Sequence, residues 1–148
     1  MLFDLLSEIF NKSDIERQYF NKEQYPFNCD FFIKSLNLYI EYQGSFYHNK
    51  KLFNKERDLN EYQKYLNKCS TNGNKNSYDN LIETWTIRDI KKWNIAKTNN
   101  LNMLLIYPYF HKDWLYYKTH ENNLEIKNSI VNYLKTFIIN NYKNNNRK

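Results

Sequence analysis

Two short β-rich runs separated by a turn constrain the fold of this chain more than any other feature. Residues 27–33 and 36–43 form the runs, Lys34-Ser35 is turn-like, and Gly44 ends the second run. This pattern predicts a largely buried β-hairpin. Because strand side chains alternate, the second run should present an apolar face and a more polar one. The apolar face comprises Leu36, Leu38 and Ile40, and the other face Asn37, Tyr39, Glu41 and Gln43.

Helical periodicity surrounds this hairpin, and one further strand follows it. Helices are predicted at residues 1–10, 59–66, 78–98 and about 124–141, and the apolar run MLLIYP predicts a buried strand. Residues 11–25 and 45–57 are expected to be polar connectors, residues 69–77 a flexible loop, and residues 143–148 a disordered tail. The order of hairpin, helix and strand predicts an α/β fold with a mixed sheet flanked by helices. The length of 148 residues predicts a single domain.

The chain is basic and rich in aromatic residues. Lys and Arg total 22 against 16 Asp and Glu, which gives a formal charge of +6, and 18% of the residues are aromatic. Excess positive charge favours a polyanionic partner, since neutralising phosphates releases condensed counterions. The abundance of Asn and Lys is also typical of an AT-rich genome, so mutational bias is an alternative source of this charge.

Cysteine content and hydropathy bear on the compartment. Cys29 and Cys69 lie far apart and form no CxxC pair, which argues against a disulfide framework or a zinc knuckle. No apolar run approaches the roughly 20 residues that cross a bilayer. The first ten residues lack both a basic segment and a small-residue cleavage site. We therefore expect a soluble, cytoplasmic protein without a membrane partner.

Two acids stand in the predicted hairpin. Asp30 lies within an apolar run, and Glu41 lies on the neighbouring strand. A carboxylate is costly to bury unless a cation or a donor satisfies it. If the strands pair about Lys34-Ser35, both acids converge near one end of the sheet and offer hard oxygen ligands for Mg²⁺ or Mn²⁺. The alternative is that each acid points to solvent from a half-exposed strand.

Asp30 is followed, after about ten residues, by the motif Glu-x-Gln. This order resembles the core of PD-(D/E)xK nucleases, with Gln43 at the position of the usual lysine. The segment YPFNCDFFIKSLNLYIEYQGSFYH is similar to the strand pair of phage-type homing endonucleases, and residues 84–107 to their following helix and strand. The resemblance covers about residues 1–110. It implies a restriction-endonuclease-like fold and magnesium-dependent hydrolysis of double-stranded DNA.

Within that superfamily the chain most resembles the very-short-patch-repair-like (EDxHD-type) branch, and this resemblance implies five catalytic positions. Asp30 would be the metal-binding acid, assisted by Glu41 or by a helical acid. Gln43 takes the place of that branch's first histidine. His48 falls on the second histidine, which would activate water, and Asp89 on the acid that orients it. The helical acid would be Glu8, with Glu16 as the alternative. The zinc-site cysteines of the repair enzymes are missing, so no structural zinc is expected.

Basic side chains cluster at two places and are assigned to DNA binding on the expectation that they surround a cleft. Lys50 and Lys51 lie beside His48, and the second cluster lies in the predicted long helix: Arg88, Lys91 and Lys92. Solvated helix and loop faces are the alternative. Trp85 and Trp93 are interpreted as core residues, and His111 and His120 as surface residues.

Taken together, these patterns predict a metal-dependent DNA endonuclease of a phage or similar mobile element. One site cuts one strand, so cutting both strands would require a homodimer or sequential nicking. Three alternatives remain open: a non-catalytic DNA-binding module, an interaction protein without affinity for DNA, and a junction resolvase or repair nickase built on the same core.

Overall fold

A computed structural model describes residues 1–146, and the side chains of residues 1–142. Its centre is a four-stranded mixed sheet in the order β1-β2-β3-β4. The strands are β1 (Ile15–Asn21), β2 (Tyr25–Ile33), β3 (Leu38–Tyr42) and β4 (Asn102–Ile106). The first three run antiparallel, and β4 joins β3 in parallel. The predicted α/β class, the mixed sheet and the hairpin are confirmed. The second strand begins later than predicted, because Leu36 lies in a 3₁₀ turn and Asn37, at φ 48°, ends that turn.

The helices lie on both faces of the sheet. They are α1 (Leu2–Ser7), α2 (Leu59–Leu66), α3 (Ser77–Glu83), α4 (Asp89–Thr98), α5 (Trp114–Tyr117) and α6 (Leu124–Asn146). A π-helical turn, Thr84–Arg88, joins α3 to α4, so the predicted long helix is continuous but irregular. Helix α6 extends to Asn146 and so includes part of the predicted disordered tail, whose last two positions lie outside the described residues.

Strand alternation divides the core into two clusters, as the hairpin pattern predicts. Leu38 and Ile40 pack in one cluster with residues of α1 and α6. Tyr39 packs in the other with Cys29, Phe32 and Ala96 of α4. Each face of β2 and β3 is therefore covered by helices, which explains why both hairpin runs are nearly continuously apolar.

The polar connector predicted for residues 11–25 is wrong in part, because residues 15–21 form β1. This strand is at the edge of the sheet and pairs only with β2. Its exposed positions include Glu16, Arg17 and Gln18. An edge strand with one solvated face requires few apolar residues, so the segment lacked the pattern of a buried strand.

No helix within residues 1–146 has both the length and the apolar character needed to cross a membrane.

Candidate active site

The candidate site forms where β2 and β3 separate. Their backbone pairing ends at Phe31 and Ile40, whereas β3 continues beside β4 to Tyr42 and Ile106. The carboxylate of Asp30 fills the gap: its Oδ2 accepts a hydrogen bond from the Tyr42 backbone N–H at 2.8 Å. The Cys29 thiol donates to the Ile40 carbonyl at 3.3 Å. Side chains thus replace main-chain ladder bonds, and Asp30 is held at the mouth of an opening between the two strands.

Glu41 is the second acid at this opening, and it is only 4% exposed. Its Oε1 accepts hydrogen bonds from the Tyr25 hydroxyl at 2.7 Å and from the Lys92 ammonium at 3.1 Å. Burial raises the pKa of Glu41, and the charge of Asp30 adds to that effect, while Lys92 and Tyr25 oppose it. Burial and the nearby charge of Asp30 therefore disfavour the ionised form of Glu41, and the Lys92 ammonium offsets this effect.

His48 and Asp89 form a hydrogen-bonded pair beside these acids. The His48 Nδ1 lies 2.9 Å from the Asp89 Oδ2, and Asp89 is buried. A 3₁₀ turn at Phe46–His48, directly after β3, carries the histidine to this place. A carboxylate oxygen accepts hydrogen bonds, so this contact assigns a proton to Nδ1 and leaves Nε2 as the nitrogen that can exchange a proton with the cleft.

Three side chains of the π-helical turn and α4 reach the site. Thr84, Arg88 and Lys92, each four positions apart, all line the cleft. A π turn inserts an extra residue into the helical register and often occurs at functional sites. Trp85 anchors this segment, since it is fully buried and its indole N–H donates to the Lys51 carbonyl at 2.9 Å.

These side chains enclose a cleft of about 250 Å³. Asp30, Glu41, Gln43 and His48 all line it, so the structure brings together the predicted site residues of the hairpin and the loop after it. Gln43 is 5% exposed, and its backbone N–H donates to the Ile106 carbonyl at 2.8 Å. Asp89 lies behind His48 and contacts the cleft only through it.

The predicted helical acid does not reach the cleft. Glu8 lies at the end of α1, is about half exposed, and pairs with Lys127 of α6 at 2.8 Å. Glu16, the alternative, is an exposed residue of β1 and does not line the cleft either. Helix α1 packs against α6 through its leucines, and this packing directs Glu8 toward α6.

Two of the predicted DNA-binding residues line the cleft and three lie outside it. Arg88 and Lys92 line the cleft. Lys91 lies along a groove on another side of α4, since one helical step turns it about 100° from Lys92. The Lys51 ammonium is engaged by Asp58 at 3.3 Å and Glu61 at 2.9 Å. Lys50 is exposed, and its ammonium lies 4.9 Å from the centre of the Tyr109 ring.

Lys92 has a more specific position than the sequence suggests. The sequence groups it with the DNA-binding cations, yet its ammonium contacts the strand acid Glu41 and lies 5.5 Å from the centre of the Phe27 ring. Gln43 leaves the strand without the usual lysine, and Lys92 brings an ammonium to the same cleft from α4. The sequence signal is its spacing of four from Arg88, but only the tertiary contact identifies its partner.

A divalent cation fits the chemistry of this cleft. Asp30 and Glu41 both line the cleft and could supply hard oxygen ligands to such an ion. No group of three or more His, Cys, Asp or Glu side chains among the described residues is arranged to hold a metal. Two protein carboxylates suffice for Mg²⁺, which usually retains several waters.

Compared with family models, curated proteins and solved structures, the chain matches none of them.

Proposed function

We propose that this protein is a magnesium-dependent DNA endonuclease with a restriction-endonuclease-like core. One observation carries the proposal: the His48–Asp89 pair faces the same cleft as two carboxylates, Asp30 and Glu41. A base oriented by a buried acid, beside oxygen ligands for a hard cation, is the set of groups that phosphodiester hydrolysis requires. The order of these residues along the chain supports the same function.

In the proposed reaction His48 removes a proton from water. Its Nε2 takes the proton while Asp89 holds Nδ1–H and stabilises the resulting imidazolium. The oxygen of that water forms a bond to phosphorus, the bond from phosphorus to the 3′ oxygen breaks, and the leaving oxygen takes a proton from solvent. The products are a 5′ phosphate and a 3′ hydroxyl.

Asp30 and Glu41 would hold Mg²⁺ or Mn²⁺, which supplies Lewis-acid stabilisation of the charge on the phosphoryl and leaving oxygens. Lys92 keeps an ammonium beside Glu41, where it also attracts a phosphate. Arg88 is exposed at the edge of the cleft and is placed to contact the DNA backbone. The amide of Gln43 can position water or a phosphate oxygen, because an amide both donates and accepts hydrogen bonds.

The experiment is cleavage of supercoiled plasmid and linear genomic DNA in Mg²⁺ by the wild type, His48→Ala and Asp30→Asn. His120→Ala is the matched control, since this histidine is exposed and lines no part of the cleft. We expect the cleavage rate to fall about 10²-fold or more in His48→Ala and Asp30→Asn and to be unchanged in the control. Equal cleavage by all four proteins would refute the proposal, as would cleavage that does not depend on the metal.

Cleavage and DNA affinity, measured together for wild type and Asp30→Asn, separate an enzyme from a non-catalytic binding module, which would bind DNA equally well in both forms and cleave it in neither. An enzyme should retain binding while losing cleavage, because Arg88 and Lys92 are unchanged. Comparing four-way junctions with linear duplex in the same assay separates a resolvase from a linear-DNA endonuclease.

A further inference from the structure

A second cleft, of about 330 Å³, shares Asp30 and Tyr42 with the candidate active site. We call it the flanking cleft; it is also lined by Phe3, Arg17, Trp114 and Lys118. Its volume falls in the range of small-ligand sites, roughly 300–1,000 Å³. The two clefts meet at the acid that the proposed function places at the scissile phosphate, so a DNA strand crossing Asp30 would continue into the flanking cleft.

The walls of the flanking cleft are aromatic and held in place. The Trp114 indole N–H donates to the Tyr42 hydroxyl at 2.8 Å, and the two rings meet edge to face with centres 5.9 Å apart. Phe3 is partly buried, and the Arg17 guanidinium lies 4.9 Å from the centre of its ring. Flat rings and a guanidinium plane are surfaces on which nucleobases stack.

The charges of this cleft complement a nucleotide. Arg17 and Lys118 are exposed cations at its edge, and Asp30 is the acidic residue of its lining, where the two clefts join. A phosphate held by the cations would leave its base free to lie against the aromatic wall. No such pairing of cations with aromatic walls occurs in the groove along α4, whose lining combines Ile87, Ile90 and Ile95 with Lys91.

We propose that the flanking cleft binds the nucleotide adjacent to the scissile phosphodiester, with its phosphate on Arg17 and Lys118 and its base against Phe3 and Tyr42. This inference rests on the proposed function, because it takes the cut phosphate to lie at Asp30. It adds a nucleotide subsite beyond the catalytic residues and gives the chain a second set of contacts along one DNA strand.

The test is a titration of a labelled DNA duplex, followed by fluorescence anisotropy, on the full-length His48→Ala protein so that the DNA is not cut. Arg17→Ala, Lys118→Ala and Phe3→Leu are added singly, with Lys22→Ala as the matched control. Lys22 is exposed and lines neither cleft, and its replacement removes the same charge as the first two variants do.

We expect each flanking-cleft variant to weaken binding roughly tenfold, and Lys22→Ala to change it little. Removing a phosphate contact should also reduce the slope of log K against log salt by about one for Arg17→Ala and Lys118→Ala. DNA carrying the photoreactive base 4-thiothymine should cross-link to peptides that contain Phe3 or Tyr42.

Four results would overturn the inference. If the duplex binds and wild-type protein cleaves it while all variants bind equally, the subsite is refuted and the proposed nuclease stands. Cross-links confined to other surfaces would likewise refute the subsite without affecting the proposed nuclease. If thymidine monophosphate alone binds more tightly than the duplex, the cleft is a site for free nucleotides. Absence of any DNA binding at low salt refutes both the subsite and the proposed function.

Discussion

The Nδ1 of His48 lies 2.9 Å from the Oδ2 of Asp89, although the two residues are 41 positions apart in the sequence. One comes from the 3₁₀ turn after β3 and the other from the first turn of α4. A histidine in a polar loop is ordinarily a surface residue. A buried acid on one ring nitrogen, with the cleft beside the ring, is instead the arrangement that the proposed role of His48 as a general base calls for.

Asp89→Asn should therefore reduce cleavage with little effect on DNA binding. The amide introduced by this substitution can donate to Nδ1 of His48, which would move the ring proton to Nε2 and remove the base. We expect a loss of about 10²- to 10⁴-fold in the single-turnover rate, since a general base contributes about that much. DNA affinity should be unchanged because Asp89 lies behind His48. Asp4→Asn, at an exposed position, is the control. Equal rates for both variants would contradict the proposed role of Asp89 in orienting His48.

Magnesium should stabilise the fold through Asp30 and Glu41. A ligand that binds only the folded state adds about 1.4 kcal/mol at ten times its Kd, or roughly 2–5 °C in Tm for a chain of this size. Wild type should show this shift in differential scanning fluorimetry at constant ionic strength, and Asp30→Asn should not. Glu8→Gln should respond like wild type, because Glu8 pairs with Lys127 away from the cleft. A shift that survives in Asp30→Asn would place the ion elsewhere.

The hairpin and much of its site could be predicted from sequence because the information is local. The alternation of residues 38–42 fixes which side chains share a face, and the turn at Lys34-Ser35 fixes the pairing partner. Together they place Asp30 and Glu41 in one cleft. The pairing of His48 with Asp89 is also consistent with the order of motifs, although α2 and α3 lie between the two residues in the sequence.

The remaining site residues depend on tertiary contacts that no local pattern encodes. The sequence gives no reason to treat the three lysines differently, yet their contacts differ. Lys51 binds Asp58 and Glu61. Lys91 lies on another side of α4, and Lys92 contacts Glu41. Glu8 is directed by the packing of α1 on α6. The π-helical turn at Thr84–Arg88 likewise has no sequence signature.

Asp58 should stabilise the loop that follows His48, and this effect should depend on pH. Its buried carboxylate accepts hydrogen bonds from the Arg57 side chain and the Asn54 backbone N–H, both at 2.8 Å, and pairs with Lys51. Hydrogen bonds from Arg57 are the main cause that holds the pKa of Asp58 far below its ordinary value of 3.8. Asp58→Asn should reduce the free energy of unfolding at pH 7 by about 2 kcal/mol, as loss of charge-assisted hydrogen bonds typically does.

The pH dependence follows from the direction of that shift. The unfolded chain takes up a proton at Asp58 near pH 3.8, whereas the folded chain does so only at much lower pH. The stabilisation is therefore complete above about pH 5 and is lost as the pH falls below about 4. Urea unfolding of wild type and Asp58→Asn at pH 7, 4 and 3 should show a difference that shrinks with acidity. Glu83→Gln, in an exposed pair with Lys75, should change little at any pH. A difference between wild type and Asp58→Asn that is constant with pH would contradict the ionic origin of the effect.

Gln18 should lower the stability of the fold through its backbone conformation and, through its side chain, help to position Asp30. Its φ of 50° is in the left-handed region, where a side chain costs about 1 kcal/mol relative to glycine, and its amide donates to the Asp30 Oδ1 at 3.4 Å. Gln18→Gly and Gln18→Ala both remove that donor, but only glycine relieves the backbone. We expect Gln18→Gly to be about 1 kcal/mol more stable than Gln18→Ala in urea unfolding, and both to cleave DNA more slowly than wild type, by less than about tenfold. Equal stability of the two variants would show that the backbone at Gln18 is unstrained, and wild-type rates in both would show that Asp30 needs no donor from β1.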